Sequence, residues 1–280
     1  MPELPEVETI RAHLAPALTG RRLERVRILD PRLTRPEPPE AVAEALEGER
    51  VTDVGRRGKY LVVGFENGRH LLVHLRMTGN VLHPATEGAE RDPHVRATIT
   101  LDDGSDVVYR DVRRFGTWEL LEPGELEPYF EARRLGREPL ERTFTSAALG
   151  RALAGRRAPV KAALLDQRAV AGVGNIYADE ALWYARIHPL TPAGELEPHD
   201  VAALRKGVRK ALELGIARQG ATLRDYRGAD GERGRMQHEF RVYGRGGEPC
   251  PRCGTPIEKT RAGGRGTWYC PSCQPAPSGS

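Results

Sequence analysis

The chain is expected to fold as an α+β protein of more than one domain, and three features of the sequence lead there. Short apolar runs separated by turn residues fill the first half. Stretches with apolar residues at helical spacing fill much of the second. All four cysteines lie after residue 249, in two C-x2-C pairs. The first pattern reads as an antiparallel β-sandwich with flanking helices, the second as a helical domain, and the third as a C-terminal β-hairpin built on cysteine knuckles. At 280 residues the chain is long for one domain. With 39% hydrophobic and 29% charged residues it can bury a core beneath a heavily charged surface. A net charge of +4 and a pI near 9.0 are compatible with nucleic acid without requiring it. The sequence has no apolar run of membrane-spanning length and no signal-peptide pattern, so a cytoplasmic or nucleoid location is expected.

The first nine residues, Met1-Pro2-Glu3-Leu4-Pro5-Glu6-Val7-Glu8-Thr9, organise the rest. Removal of Met1 would expose Pro2 as a secondary amine. An α-amine titrates near neutrality, at roughly 7.7–8.0, so a useful fraction is free to attack an electrophilic carbon. The adduct of a proline is an iminium with no N–H proton to lose, so it stays cationic. Glu3 and Glu6 could orient such an amine and move protons. The plainer reading is an acidic helix start, with Pro5 in the first turn and Glu6 and Glu8 against the helix dipole.

Val7, Ile10, Leu14 and Leu18 then share one face of a helix over residues 6–18, with Gly20 as its stop. Val26 and Ile28 read as strand, and a short helix precedes Gly48. Strands at about 59–65 and 70–77 flank an Asn67-Gly68 hairpin turn. Val95–Leu101 and Val107–Tyr109 repeat the arrangement around Asp102-Asp103-Gly104-Ser105. Three places in this half stand out. Lys59 opens an apolar strand, where a lone charge is usually just solvated. His70 and His74 share a strand face, a pair more often structural than metal-binding. Met77 and the segment Asp111-Val112-Arg113-Arg114-Phe115-Gly116 admit two readings. One is a core Phe; the other is a loop that pushes Phe115 into a base stack.

Residues 131–142, broken by Gly136 and Pro139, read as an interdomain linker. Thr145 can cap a helix over 146–154, and Pro159 can open another to about Gln167. Val201, Leu204, Val208, Leu212 and Ile216 mark a long amphipathic helix. Between them, Gly172-Val173-Gly174-Asn175 is a Gly-rich turn into a helix that Asn175 can cap; it suits either anion binding or a tight turn with no ligand. Residues 218–237, poor in apolar side chains, read as a long mobile loop. Cys250, Cys253, Cys270 and Cys273 follow as C-x2-C-x16-C-x2-C, the spacing of a four-thiolate site for one structural zinc ion. Two disulfides are the competing reading, which nothing like an export signal supports. Residues 260–267 form a hairpin tip from which Arg265 can reach a phosphate. The tail from Gln274 to Ser280 is expected to be disordered.

Taken together, the N-terminal motif, Gly174-Asn175-Ile176-Tyr177, Tyr243-Gly244-Arg245 and the cysteine knuckles, in that order, resemble bacterial formamidopyrimidine-DNA glycosylases. The resemblance covers nearly everything from Met1 to Gln274. It implies a catalytic β-sandwich at 1–130, a linker at 131–142 and a helix–two-turn–helix DNA-binding domain at 143–237 that includes a lesion-recognition loop at about 218–237. A zinc finger at 238–274 and a disordered tail at 275–280 complete the organisation. It implies a monomeric glycosylase and abasic-site lyase acting on double-stranded DNA that contains oxidised purines. Pro2 would be the nucleophile, Glu3 the proton donor and Glu6 the group that positions the terminus. Lys59, Asn175 and Arg265 would hold phosphates, with Lys59 and Arg265 close to the chemistry, and His74 would also contact DNA. Met77, Arg113 and Phe115 would fill the gap left by a flipped nucleotide. A Nei-type enzyme for oxidised pyrimidines, or a non-catalytic zinc protein that detects damage, are the alternatives. An intact Met1 would favour the latter, because it leaves the Pro2 nitrogen an amide.

Overall fold

A computed structural model describes residues 1–85 and 88–276, and the chain forms two compact units. The first comprises Met1–Ala132 and Arg218–Arg235; the second comprises Arg133–Ala217 and the chain from Met236 onward.

The first unit opens with α1 (Leu4–Leu18), two residues earlier than its apolar spacing indicates. Pro5 is accommodated in the first turn, where its missing N–H costs nothing. Strands follow as β1 (Leu23–Ile28), then, after α2 (Pro39–Leu46), β2 (Val51–Arg57), β3 (Tyr60–Phe65), β4 (His70–His74), β5 (Gly79–Leu82), β6 (Val95–Leu101), β7 (Asp106–Asp111) and β8 (Thr117–Leu121), before α3 (Leu126–Ala132). They form two antiparallel four-stranded sheets, ordered β1-β6-β7-β5 and β2-β3-β4-β8. Val7, Ile10, Leu14 and Leu18 of α1 share one core with Val26, Ile99 and Tyr109 of one sheet and Val54, Leu61 and Val73 of the other. The expected sandwich with an N-terminal helix against it is what forms. The β3–β4 hairpin turns at Gly68, whose φ of 83° suits a residue without Cβ.

Two expectations in this unit change. The strand expected over 70–77 stops at His74. Arg76 adopts φ 52° and Gly79 N–H donates to Leu75 O, so Met77 lies in a turn. Residues 218–235 do not form a loose loop, nor do they group with the helical domain. Tyr226 and Ala229 belong to the sandwich core, and Ala229 O accepts the His83 N–H. Thr222 Oγ1 donates to Tyr226 O and accepts the Gly234 N–H, so turn residues take over the bonding that regular structure would supply.

The second unit holds α4 (Ser146–Leu153), α5 (Val160–Leu165), α6 (Asn175–Ala185), α7 (Pro198–Ala217) and the hairpin β9 (Glu258–Ala262)–β10 (Arg265–Tyr269). Thr145 caps α4 through Ala148 N–H as expected. Helices α6 and α7 pack closely, and Gly207 and Gly215 permit the approach. A Cβ on Gly207 would meet the Ala181 carbonyl, and one on Gly215 the Tyr177 ring. The segment 133–142 is no free hinge. Gly136 N–H donates to Gln167 O, Ala171 N–H to Arg137 O, and Glu138 is buried, so backbone pairing that charged residues do not advertise ties it down. Among the described residues no helix is long and apolar enough to cross a membrane.

The tail expectation also changes at its first residue; residues 277–280 lie outside the described ones. Gln274 is fully buried, accepts the Cys270 N–H through Oε1 and donates through Nε2 to Ile187 O. Gln274→Ala strands both partners in the interior. It should cost about 1–3 kcal/mol, read as a lowered thermal midpoint, whereas truncation after Ala276 should cost nothing measurable.

Candidate active site and metal centre

Pro2 is buried immediately before α1. Glu3 is the N-cap of that helix, and its carboxylate accepts the Glu6 N–H while Glu6 Oε2 accepts the Glu3 N–H at 2.8 Å. Both carboxylates are buried, with 2% exposure each. The second oxygen of Glu6 accepts the Ala221 N–H at 2.8 Å, and Tyr226 Oη donates to Glu6 O. Gly220, at φ 79°, lets the chain pass this close, because a Cβ would press on the Glu6 side chain. The start of the chain is thus flanked by two buried carboxylates, and one of them is locked to the 218–235 segment. Once Met1 is absent, that arrangement offers a secondary amine with a proton carrier beside it.

Lys59 sits in the turn between β2 and β3 and is buried to 6% exposure, unlike the solvated strand-end charge expected. Its neighbour Tyr60 packs edge-on against His74, with ring centroids 4.6 Å apart. His74 Nδ1 accepts the Arg76 N–H at 3.0 Å, so the ring proton resides on Nε2. Burial, followed by the charges of Arg76 and Lys59, pushes the His74 pKa down to about 3. The ring is therefore a neutral donor at working pH.

Phe115 is 51% exposed, which removes the reading of a core residue. The Arg113 guanidinium lies over its ring, 4.6 Å from the centroid. Met77 is exposed in its turn. Arg114, the other half of the basic pair, turns away to form a bidentate pair with buried Asp30, at 2.5 and 2.8 Å.

In the second unit, Asn175 does not cap its helix; Gly174 occupies that position and Asn175 is the first helical residue. Its Nδ2 donates instead to Gly266 O at 3.2 Å, next to exposed Arg265 at the hairpin tip. Lys161 reaches the same carbonyl at 2.8 Å and Thr267 Oγ1 at 2.9 Å, and pairs with Asp179 at 2.8 Å. Lys161 and Asp179 are both wholly buried, and Asp179 also accepts the Trp268 N–H. The adjacent Glu180 accepts the backbone N–H groups of Arg241, Val242 and Tyr243. Sequence reasoning gives Lys161, Asp179 and Glu180 no part in the site. An Asp-Glu pair on a helix reads as a solvated face, and no local signal marks it as buried. Arg245 of the Tyr243-Gly244-Arg245 motif serves this module too, donating to Phe240 O and Arg241 O.

The four cysteine sulfurs lie within 4.8 Å of one another. Neighbouring Sγ atoms are 3.5 Å apart for Cys253–Cys270 and Cys253–Cys273, and 4.0 Å for Cys250–Cys273. A tetrahedron with zinc–sulfur bonds of about 2.3 Å has edges of about 3.8 Å, so the thiols fit one structural zinc ion. A disulfide requires about 2.05 Å, which these separations exclude. Trp183 Nε1 donates to Cys250 Sγ at 3.4 Å, an outer bond suited to a thiolate.

Models of three protein families match the chain. They are the formamidopyrimidine-DNA glycosylase N-terminal domain over residues 1–118, the H2TH domain of the same glycosylases over 135–227, and a zinc finger found in FPG and IleRS over 247–276. Among named relatives, the formamidopyrimidine-DNA glycosylase of Symbiobacterium thermophilum is 48% identical over 280 residues, all of this chain and 91% of the relative. That of Chloroflexus aggregans is 48% identical over 275 residues, 98% of each. The fold is similar to a Lactococcus lactis FPG mutant bound to Fapy-dG containing DNA, with TM-score 0.92, 37% identity, and coverage of 98% of this chain and 100% of that one. It is similar also to the MutM (FPG) protein of Thermus thermophilus, with TM-score 0.86, 42% identity and 98% coverage of each.

Metal analysis should find one zinc per chain. Cys253→Ala should abolish it and weaken DNA binding, while the circular dichroism of the sandwich strands is retained; two disulfides by mass spectrometry would contradict this. A pH effect follows from His74. Its pKa is depressed on folding, so its contribution to stability is complete above about 6.5 and is lost as pH falls toward 3. The thermal midpoint should therefore drop with acid across that window, and His74→Gln should show a shallower drop. Equal slopes would assign the acid loss to other groups.

Proposed function

The chain belongs to the formamidopyrimidine-DNA glycosylase family, and from that premise we propose how its residues act. The protein is a DNA glycosylase and abasic-site lyase of base excision repair. Its substrates are oxidised purines, 8-oxoguanine and formamidopyrimidines, in duplex DNA. It works as a monomer in the cytoplasm, associated with the nucleoid.

The observation that carries the chemical reading is the pair of buried carboxylates bonded to each other's backbone beside Pro2. The target base must leave the stack before C1′ can be reached, so the nucleotide is flipped. Met77, Arg113 and Phe115 occupy the vacated space, with Arg113 toward the orphaned base. Pro2 nitrogen then attacks C1′ while Glu3 gives a proton to the ring oxygen, and the base departs with its electron pair. The product is an iminium at C1′, whose charge acidifies the C2′ hydrogen. Loss of that proton expels the 3′-phosphate, and a second elimination expels the 5′-phosphate. Glu6 holds the terminus in line through the Glu3 N–H. Lys59, Asn175 and Arg265 hold phosphates; His74, a neutral donor, adds a bond without charge. Zinc supplies folding energy to the hairpin module and takes no part in the reaction.

Borohydride should trap a covalent protein–DNA adduct on lesion-bearing duplex, and peptide mapping should place it on Pro2. Lys161 is a poor competitor, since its ammonium is fully buried in an ion pair. Pro2→Gly should keep part of the activity, because a primary amine still forms an imine. An uncleaved N-terminal tag should abolish lyase activity; full activity with the tag, or an adduct on a lysine, would sink the mechanism. Phe115→Ala should slow excision of an intact lesion yet spare a pre-formed abasic site, which avoids most of the few kcal/mol of unstacking. Equal loss of both would make Phe115 a structural residue.

A further inference from the structure

The Asp111 carboxylate ends β7 at 1% exposure, and among the described residues the donors that face it come from two turns, at Thr78 and at 113–116. Its Oδ2 accepts the backbone N–H groups of Phe115 at 2.9 Å and Gly116 at 2.8 Å. Its Oδ1 accepts the Arg113 N–H at 3.2 Å and the Thr78 hydroxyl at 2.5 Å. Thr78 Oγ1 in turn accepts the Arg113 N–H at 3.0 Å. Thr78 follows Met77 directly, so one hydroxyl–carboxylate bridge fastens the Met77 turn to the Arg113–Phe115 loop. The floor beneath is rigid. Tyr109 Oη lies under both Gly79 and Gly116, leaving no space for a Cβ at either. Arg114, held at φ 59°, is drawn by Asp30 to the far side, so of the loop's two arginines it is Arg113 that stacks on Phe115.

We propose that Asp111 and Thr78 are positioning residues for lesion extrusion: their bridge holds Met77, Arg113 and Phe115 in the inserted geometry before DNA arrives. The inference rests on the reading of those three residues as the gap-filling wedge. A short loop that carried an arginine and a phenylalanine on a free backbone would lose conformational entropy on each insertion. Four charge-assisted bonds to one buried carboxylate remove that loss beforehand. Asp111 is buried and its partners are all protein groups, so the bridge bears on extrusion and not on the later chemistry.

The test compares wild type with Thr78→Val, Asp111→Asn, Phe115→Ala and the Thr78→Val/Phe115→Ala double variant. Each is assayed for single-turnover excision of 8-oxoguanine opposite cytosine, for cleavage of a pre-formed abasic duplex, and for base extrusion followed by 2-aminopurine fluorescence beside the lesion. Thr78→Val is close in shape and leaves Asp111 Oδ1 the Arg113 N–H, so its melting temperature should fall less than that of Asp111→Asn, and it carries the decision if Asp111→Asn folds poorly. Loss of the bridge should slow extrusion and excision roughly tenfold while abasic cleavage stays within about twofold. In the Phe115→Ala background, Thr78→Val should add nothing, because the bridge acts through the wedge. Wild-type excision by Thr78→Val, equal loss of excision and abasic cleavage, or a defect that multiplies with Phe115→Ala would overturn the proposal. If Phe115→Ala itself spared excision, the wedge reading would fall and this inference with it. A selective Phe115→Ala defect beside a normal Thr78→Val would overturn the positioning role alone.

Discussion

The contact that ties the start of the first unit to its most distant segment is the carboxylate of Glu6. One oxygen takes the Glu3 N–H and the other takes the Ala221 N–H, 215 residues along the chain. Neither bond is dispensable to the other. The Glu3 contact fixes the start of α1 together with the bond from the Glu6 N–H to the Glu3 carboxylate. Without the Ala221 contact the 218–235 segment loses a buried anchor near its start. A carboxylate at 2% exposure is costly to bury unless its oxygens are satisfied, and here backbone donors satisfy them. The same group therefore ties the first residues of the chain to the 218–235 segment.

This device recurs. Asp111 gathers four donors from the turns that carry Met77, Arg113 and Phe115. Glu180 gathers the backbone of residues 241–243. Asp179, with Lys161, fixes the strand that begins at Arg265. In each case an irregular or short segment is held by a buried acid on a regular element. Helices and strands satisfy their own backbone groups, whereas a turn exposes N–H groups that need an acceptor. A carboxylate has two oxygens and can accept several such bonds at once. Rigid presentation of an exposed side chain on a loop follows from that arithmetic.

How much of this was legible in the sequence divides along the same line. Periodicity revealed α1 and α7, and Asn67-Gly68 and Gly104 marked their hairpins, because these signals are local. Cysteine spacing located the metal site for the same reason. Strands β2 and β5 carry no such signal: β2 buries only Val51 and Val54 among polar and charged residues, and β5 spans four residues. Some buried acids carry none either. Asp111, Asp179 and Glu180 look like surface charge until distant donors converge on them. Segment 218–235 reads as mobile because its apolar content is low, yet Tyr226 and Ala229 enter the sandwich core and the Ala221 N–H and Ala229 carbonyl are bonded to Glu6 and His83. Pro2 with Glu3 and Glu6, Phe115 and Arg265 each stand out locally but admit a plain reading as well, and the resemblance, in which several weak motifs occur in one order, is what favours the functional one.

The second unit separates two tasks that a zinc finger is often assumed to combine. The four thiols gather Cys250–Cys253 and Cys270–Cys273 into one cluster, and the metal that fits them supplies folding energy to a module with a small apolar core. Orientation comes from elsewhere. Lys161 and Asn175 share the Gly266 carbonyl, Asp179 takes the Trp268 N–H, and Gln274 ties the second knuckle to Ile187 O. Arg252 stacks on Trp183 of α6 at 3.9 Å while donating to the Trp183 carbonyl. The exposed Arg265 is one residue from the carbonyl on which two of these donors converge. Its placement is consequently a property of α5 and α6, on which the hairpin is mounted, and the metal's part is to keep that hairpin folded enough to be mounted.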